Sequence, residues 1–246
     1  MCIDSPKDLM ALERVGRVVR ETLQALEASL KAGITTLELD QVAQGVFERH
    51  GARSAPALEY DFPGTVLISI NDEAVHGIPG PRVILPDDLV KLDVTPELGG
   101  YVADAAVTVA MPEASAEAKK LASCANRALR NAIRAVRPGR PVNELGRVVE
   151  REVASCGFSV LRELGGHGVG RAIHEEPQIW NYYDKHAWQP LAEGMVFTIE
   201  PIIATGGSRI FTDRDGWTVR TRDGSLAAHF EHTIVVRQGK PLIVTA

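Results

Sequence analysis

Cysteine is scarce in this sequence. The three present, Cys2, Cys124 and Cys156, are odd in number, scattered and free of any Cys-x-x-Cys pair, so their spacing implies neither a disulfide framework nor a zinc knuckle. Cys124 shares a helical apolar face with Leu121, Ala125, Ala128 and Leu129, the place of a small core residue. No run approaches the roughly 18 apolar residues of a membrane span. The N-terminus, MCIDSPKDLM, lacks the charged, apolar, then small order of a secretory signal. Lysine and arginine form no cluster, and the formal net charge of -5 argues against a general nucleic-acid binder, which would present a basic face. These absences predict a cytoplasmic protein with no membrane and no nucleic-acid partner.

Phosphate-binding loops are missing too. The stretch GGHGVGRAIHEEP, Gly165 to Pro177, is rich in glycine but completes neither Gly-x-x-x-x-Gly-Lys-Ser/Thr nor Gly-x-Gly-x-x-Gly. His167 and His174 are too widely spaced for the His-Glu-x-x-His pattern, which sets two imidazoles on one helical face.

What is present is a chain of 246 residues, 45% hydrophobic and 24% charged, the composition of a globular protein with a sizeable core. Leu9, Leu12, Val15, Val19, Leu23, Leu26 and Leu30 have helical spacing and predict a helix over Pro6 to Leu30, with Gly33 as a stop. Thr35 and Glu38 fit a capping box that opens a second helix ending at Gly51. Strand-type runs follow: TVLISI, LVKLDVT and YVADAAVTV. The order then repeats, with helices over Ser115 to Val136 and Asn143 to Cys156, then the strand-type runs GMVFTIEPI and EHTIVV. A shift of 106 positions lays Gly33 on Gly139, Glu38 on Glu144, Leu39 on Leu145, Val42 on Val148 and Gly51 on Gly157. The expected organisation is one domain, residues 1–246, built by internal duplication of halves at about 6–110 and 114–246.

Four acids stand inside or beside these apolar runs. Asp93 follows Leu92, Asp104 precedes AAVTV, Glu200 follows Ile199, and Glu231 precedes HTIVV. An unpaired carboxylate in such surroundings costs several kcal/mol to desolvate, and no matching set of strand lysines or arginines neutralises the four. Divalent cations are the economical compensation. Four carboxylates and the His167 imidazole make five oxygen and nitrogen donors, enough for two ions that activate water and bind a substrate. Such a set suits Mn, Fe, Co or Zn without choosing among them.

The motifs SINDEAVHGIP (Ser69 to Pro79), KLDVT (Lys91 to Thr95), GGHGVGRAIHEEP, FTIEP (Phe197 to Pro201) and FEHTIVV (Phe230 to Val236) together resemble those of the type I methionine aminopeptidases. The likeness runs from about Ser5 to Ala246. With no long insertion between His167 and Glu231, it is nearest the short bacterial form. It implies an α+β pita-bread fold: two pseudo-symmetric halves, each of two helices plus antiparallel strands, around a central curved sheet. It also implies removal of the initiator methionine from nascent proteins and peptides with a small second residue.

The resemblance gives Asp93, Asp104, His167, Glu200 and Glu231 as metal ligands, with Asp104 and Glu231 bridging, His167 and Glu200 on one ion, and Asp93 on the other. It gives Glu200 as the proton shuttle, and His76 and His174 as the non-ligand histidines beside the scissile peptide. Phe62, Leu67, Ile173 and Trp217, with His76 and His174, would contact substrate. Phe62 and Leu67 depart from the tyrosine and cysteine of many bacterial relatives, which touches pocket dimensions rather than the reaction. His229 and His232, on either side of Glu231, read as strand neighbours. The expected partners are nascent-chain and peptide N-termini, with a transient ribosome contact, and the expected state is a monomer. Two other readings stay open: a pita-bread aminopeptidase with another N-terminal preference, and a non-catalytic pita-bread binding protein.

Overall fold

The structure, a computed structural model, describes residues 1–246. Its helices start where the sequence supplies caps. Ser5 accepts from the Asp8 amide and Pro6 occupies the first turn of α1 (Pro6–Ser29), where a missing N–H costs nothing. Thr35 and Glu38 close the capping box of α2 (Thr36–His50), and Gly51, at φ 65°, ends it in the left-handed region that suits glycine. α1 and α2 pack together over one half of the sheet structure. That half contains β1 (Arg53–Ser54), α3 (Ala55–Tyr60), β2 (Leu67–Ile70), β3 (Glu73–Val75), β4 (Leu89–Val94), β5 (Pro96–Glu97) and β6 (Ala105–Ala110).

The second half repeats the helix pair. Ser115 caps α4 (Ala116–Ala135), whereas α5 (Asn143–Ser155) starts from Val142 with no side-chain cap. Its strands are β7 (Ser159–Val160), β8 (Gly165–Gly168), β9 (Glu175–Trp180), β10 (Val196–Ile199), β11 (Ile202–Ala204), β12 (Ile210–Thr212), β13 (Val219–Thr221), β14 (Ala227–His229), β15 (His232–Val235) and β16 (Leu242–Ile243). Each helix pair has its own core. One cluster of 28 buried apolar residues gathers α1 and α2 over β2 and β4, and another of 26 gathers α4 and α5 over β10, β11 and β15. No helix is long and apolar enough to cross a membrane.

All strand pairs are antiparallel. The first half contributes the sheet β2-β4-β6, and the second contributes β16-β15-β10-β8-β9 and β14-β11-β7. The run EHTIVV forms a single strand, β15, as its apolar character predicts, whereas GMVFTIEPI is not one unbroken strand. It breaks between β10 and β11 at Glu200 and Pro201; opposite that break, Phe230 and Glu231 separate β14 from β15. Ile199 pairs with His232 and Ile202 with His229, so the two breaks face each other in one register. Proline has no N–H for the ladder, and both chains change sheet there. Glu200 and Glu231 consequently sit at a corner. Asp104 is likewise just outside β6, and only Asp93 lies within a strand.

Threonines stitch the halves together along this line. Thr108 Oγ1 donates to the His229 carbonyl at 2.6 Å and accepts from the His229 amide at 2.9 Å. Thr233 Oγ1 makes the same pair of bonds to the Asp104 carbonyl and amide, at 2.8 and 2.9 Å. The Glu231 amide donates to the Ala106 carbonyl at 2.9 Å. These bonds fix Asp104 of one half beside Glu231 of the other. The buried Lys91 also spans the seam, donating to the carbonyls of Asn71 at 2.8 Å and Ala227 at 3.2 Å. Its charge is therefore turned to backbone, away from the acids.

No sequence pattern announces α3, the short β3, or the sheet β12-β13-β3. All three are made of segments too short to carry a period.

Candidate metal centre and peptide pocket

A cavity of about 260 Å³ opens at the corner. All eleven residues singled out from the sequence line it: Asp93, Asp104, His167, Glu200 and Glu231, then His76 and His174, then Phe62, Leu67, Ile173 and Trp217. They come from both halves, so the cleft exists only because the seam closes.

The acids meet closely. Ligand atoms of Asp104, His167 and Glu231 lie within 4.8 Å of one another, and so do those of Asp93, His229 and Glu231. Glu231 belongs to both groups. Glu200 adds contacts of 3.4 Å from its Oε1 to His167 Nε2 and 3.6 Å from its Oε2 to His229 Nε2. No lysine or arginine pairs with any of the four carboxylates; their ionic neighbours are His167 and His229 alone. Asp93 Oδ1, Glu231 Oε1 and both ring nitrogens of His229 have no hydrogen-bond partner. Buried polar atoms are normally satisfied, and hard oxygens with imidazole nitrogen are the donor set that divalent cations take. The residues present therefore fit a metal centre.

The surroundings orient these donors. Thr95 donates to Asp104 Oδ1 at 2.8 Å, and Thr198 donates to Glu200 Oε1 at 3.2 Å while accepting from the His167 amide at 3.1 Å. His167 Nδ1 lies 3.0 Å from the Gly168 carbonyl, which can only accept. That bond assigns the proton to Nδ1 and leaves the Nε2 lone pair facing the acids. β8 needs its glycines for the same reason: a Cβ on Gly166 would stand 2.4 Å from the Thr198 carbonyl, and one on Gly168 2.2 Å from that of Glu176. Only a strand without side chains at those positions packs His167 this close to β10 and β9.

Burial, followed by mutual repulsion, raises all four carboxyls well above their ordinary range. Asp104 acts on Asp93, Glu231 on Asp104, Asp93 on Glu231, and all three of the others on Glu200. The metal-free cluster therefore holds protons that a cation must displace. Cation uptake is expected to release protons and to weaken as pH falls. Calorimetric titration with Mn²⁺ in two buffers of different ionisation enthalpy checks this; equal heats in both would contradict it.

His76 and His174 flank the acids without sharing their hydrogen bonds. Burial first, then repulsion from His229 and His174, lowers His76 to about 4. It follows β3 at φ 61°, a left-handed conformation unusual for a residue with a Cβ, and the next residue anchors it: the Gly77 amide donates to Ser69 Oγ at 2.9 Å. Burial also lowers His174. The His174 ring lies 4.3 Å from that of His167, centroid to centroid, and its Nδ1 is 2.7 Å from the Tyr60 hydroxyl. Phe62 and Trp217 meet edge to face at 5.2 Å, and with Leu67 and Ile173, both nearly fully buried, they make an apolar recess beside the histidines.

Two residues gain significance from the structure. His229, read from sequence as a strand neighbour, does lie in β14, but its ring faces Asp93 and Glu231. Tyr60, at the end of α3, reaches His174 across the chain. Strand alternation does not signal the first, because the chain leaves β14 after His229 and before Glu231. No local pattern signals the second.

A model of metallopeptidase family M24 matches residues 10–238. The chain belongs to this family. Among M24 relatives, methionine aminopeptidase 2 of Bacillus subtilis (strain 168) is 38% identical over 247 residues, covering 100% of this chain and 99% of the relative. A methionine aminopeptidase of Aquifex aeolicus (strain VF5) is 37% identical, covering 98% and 97%. The crystal structure of a methionine aminopeptidase from Thermotoga maritima superposes with a TM-score of 0.96 at 32% identity, covering 100% and 99%. The α+β fold is thus the pita-bread arrangement, as the motifs led one to expect. A prolidase from Pyrococcus furiosus shares that M24 fold at a TM-score of 0.77 and 20% identity, with 65% of its chain covered.

Proposed function

We propose that this protein is a metal-dependent methionine aminopeptidase that removes the initiator methionine from nascent proteins and peptides with a small second residue. One observation carries the reading: a five-donor acidic cluster, two neutral histidines and an apolar recess share one cavity. Full-length relatives named methionine aminopeptidase support it. We take the halves at about 6–110 and 114–246 as a duplication, and the enzyme as a cytoplasmic monomer that meets nascent chains with transient ribosome contact.

Two divalent ions, Mn, Fe, Co or Zn, would be held with Asp104 and Glu231 as bridges, His167 and Glu200 on one side and Asp93 on the other. Bound there, such ions supply Lewis acidity, polarising a carbonyl and lowering the pKa of a water molecule. The chain's own groups do the rest. Phe62, Leu67, Ile173 and Trp217 enclose the first side chain. Glu200, whose carboxylate burial makes more basic than usual, accepts a proton from attacking water and returns it to the leaving amine. His76 and His174 donate N–H to the oxygen on which negative charge develops.

The test is release of free methionine from Met-Ala-Ser by chelator-stripped protein titrated with manganese or cobalt. Leu-Ala-Ser serves as the control. Apolar contacts discriminate by about 1–3 kcal/mol per methylene, so the leucine peptide should be cleaved roughly 10- to 200-fold less efficiently in kcat/KM. Leu67 and Phe62 favour one specific alternative, an aminopeptidase with another first-residue preference. Metal-restored cleavage of some other peptide in a first-residue panel, with the methionine peptide inert, would establish it. Silence of a folded, metal-loaded protein on the whole panel would instead support a binding role.

A further inference from the structure

The two cysteines that the sequence sets far apart meet between the helices of the second half. Cys124 is buried on α4, and Cys156 is the half-buried residue that ends α5. Their sulfurs and a carboxylate oxygen of Glu152 lie within 4.8 Å of one another. Arg127 completes the group, its Nε donating to Glu152 Oε1 at 2.8 Å and its Nη2 to Cys156 Sγ at 3.1 Å. None of these residues lines the catalytic cleft.

The two sulfurs are unequal. Burial, reinforced by Cys156, pushes the Cys124 thiol up to about 12, so it stays protonated. Cys156 is the sulfur that reaches solvent and accepts from the guanidinium, and an accessible sulfur beside a cation is the setting in which cysteines react with oxidants. The same donors could hold a soft cation, but Arg127 already binds both Glu152 and Cys156 and would have to be displaced. Closing the sulfurs to a bond of about 2 Å requires local movement. Cys156 can supply it, because α5 ends there and Gly157, at φ 80°, follows.

We propose that Cys156 and Cys124 form a hydroperoxide-sensitive dithiol that closes to a disulfide joining α4 to the end of α5. The Cys156 sulfur attacks one peroxide oxygen and the O–O bond breaks. The departing oxygen carries off the Cys156 proton as water, leaving a sulfenic acid. The Cys124 sulfur then attacks the Cys156 sulfur, the S–O bond breaks, and the hydroxyl leaves with the Cys124 proton as a second water. Each sulfur loses one electron, and the peroxide takes both.

The experiment treats the full chain with hydrogen peroxide, alkylates the remaining thiols, and maps a non-reducing digest by mass spectrometry. The exposed Cys2 serves as a reference for indiscriminate oxidation. The expected result is a linked peptide pair containing Cys124 and Cys156, reversed by dithiothreitol, formed before Cys2 loses its alkylation. Cys124→Ala should lose the link and leave a dimedone-trappable sulfenic acid on Cys156. Arg127→Gln should slow link formation roughly tenfold. No linked pair by the time Cys2 is oxidised would overturn the proposal. So would tight zinc binding that Cys124→Ala and Cys156→Ser each abolish, since that outcome makes the cluster a metal site. An unchanged rate in Arg127→Gln would overturn the activating role of the guanidinium.

Discussion

Glu231→Ala is expected to lose both metal retention and turnover, with kcat/KM down by about a thousandfold or more, roughly 4 kcal/mol of transition-state stabilisation. The size follows from position. Glu231 is the one acid common to both donor groups, it is 2% exposed, and its Oε1 has no partner within the protein. Removing it leaves Asp93 and Asp104 without the carboxylate that lies between their groups, and empties a site that no lysine or arginine can reach. Metal content by elemental analysis, beside methionine release, checks the prediction. Two retained ions with normal turnover would show that Glu231 does not bridge. Because the variant also relieves repulsion among buried carboxyls, the metal-free fold should survive it, and circular dichroism can confirm that loss of metal is not loss of structure.

The sequence made some of this legible and left some hidden, for identifiable physical reasons. Helices were legible because their signals are local: the Thr35–Glu38 capping box appears at the predicted place, and the apolar spacing puts the ends of α1 and α4 within a residue of those observed. The acids were legible because a carboxylate in an apolar run demands compensation wherever the strand goes. Their backbone setting was not. That Glu200 and Glu231 stand opposite each other at a corner depends on the pairing of Ile199 with His232 and Ile202 with His229, a register that neither strand encodes alone. The same holds for Cys124 and Cys156, whose scattered positions argued against any joint chemistry until α4 and α5 packed together. His229 illustrates a subtler limit: strand placement was read, but which face of the strand met the acids was set by the partner β11.

His174→Ala should separate what Glu231→Ala loses together. Its ring nitrogens belong to neither donor group, so both ions should stay bound while kcat falls about 10²- to 10³-fold, the usual cost of removing one donor to a developing oxyanion. Tyr60 sharpens the expectation. Nδ1 of His174 is 2.7 Å from the Tyr60 hydroxyl. With the hydroxyl donating, Nδ1 accepts and Nε2 carries the proton, the tautomer in which His174 can donate into the cleft. Tyr60→Phe removes that bond but keeps the aromatic ring beside the imidazole, so it should lower kcat by about tenfold, the worth of roughly 1.4 kcal/mol, with metal content and KM little changed. A merely structural Tyr60 would shift stability rather than kcat. In the double variant the Tyr60 effect should vanish, because a hydroxyl that acts only by orienting His174 has nothing left to orient; independent, additive losses would place Tyr60 on the substrate instead.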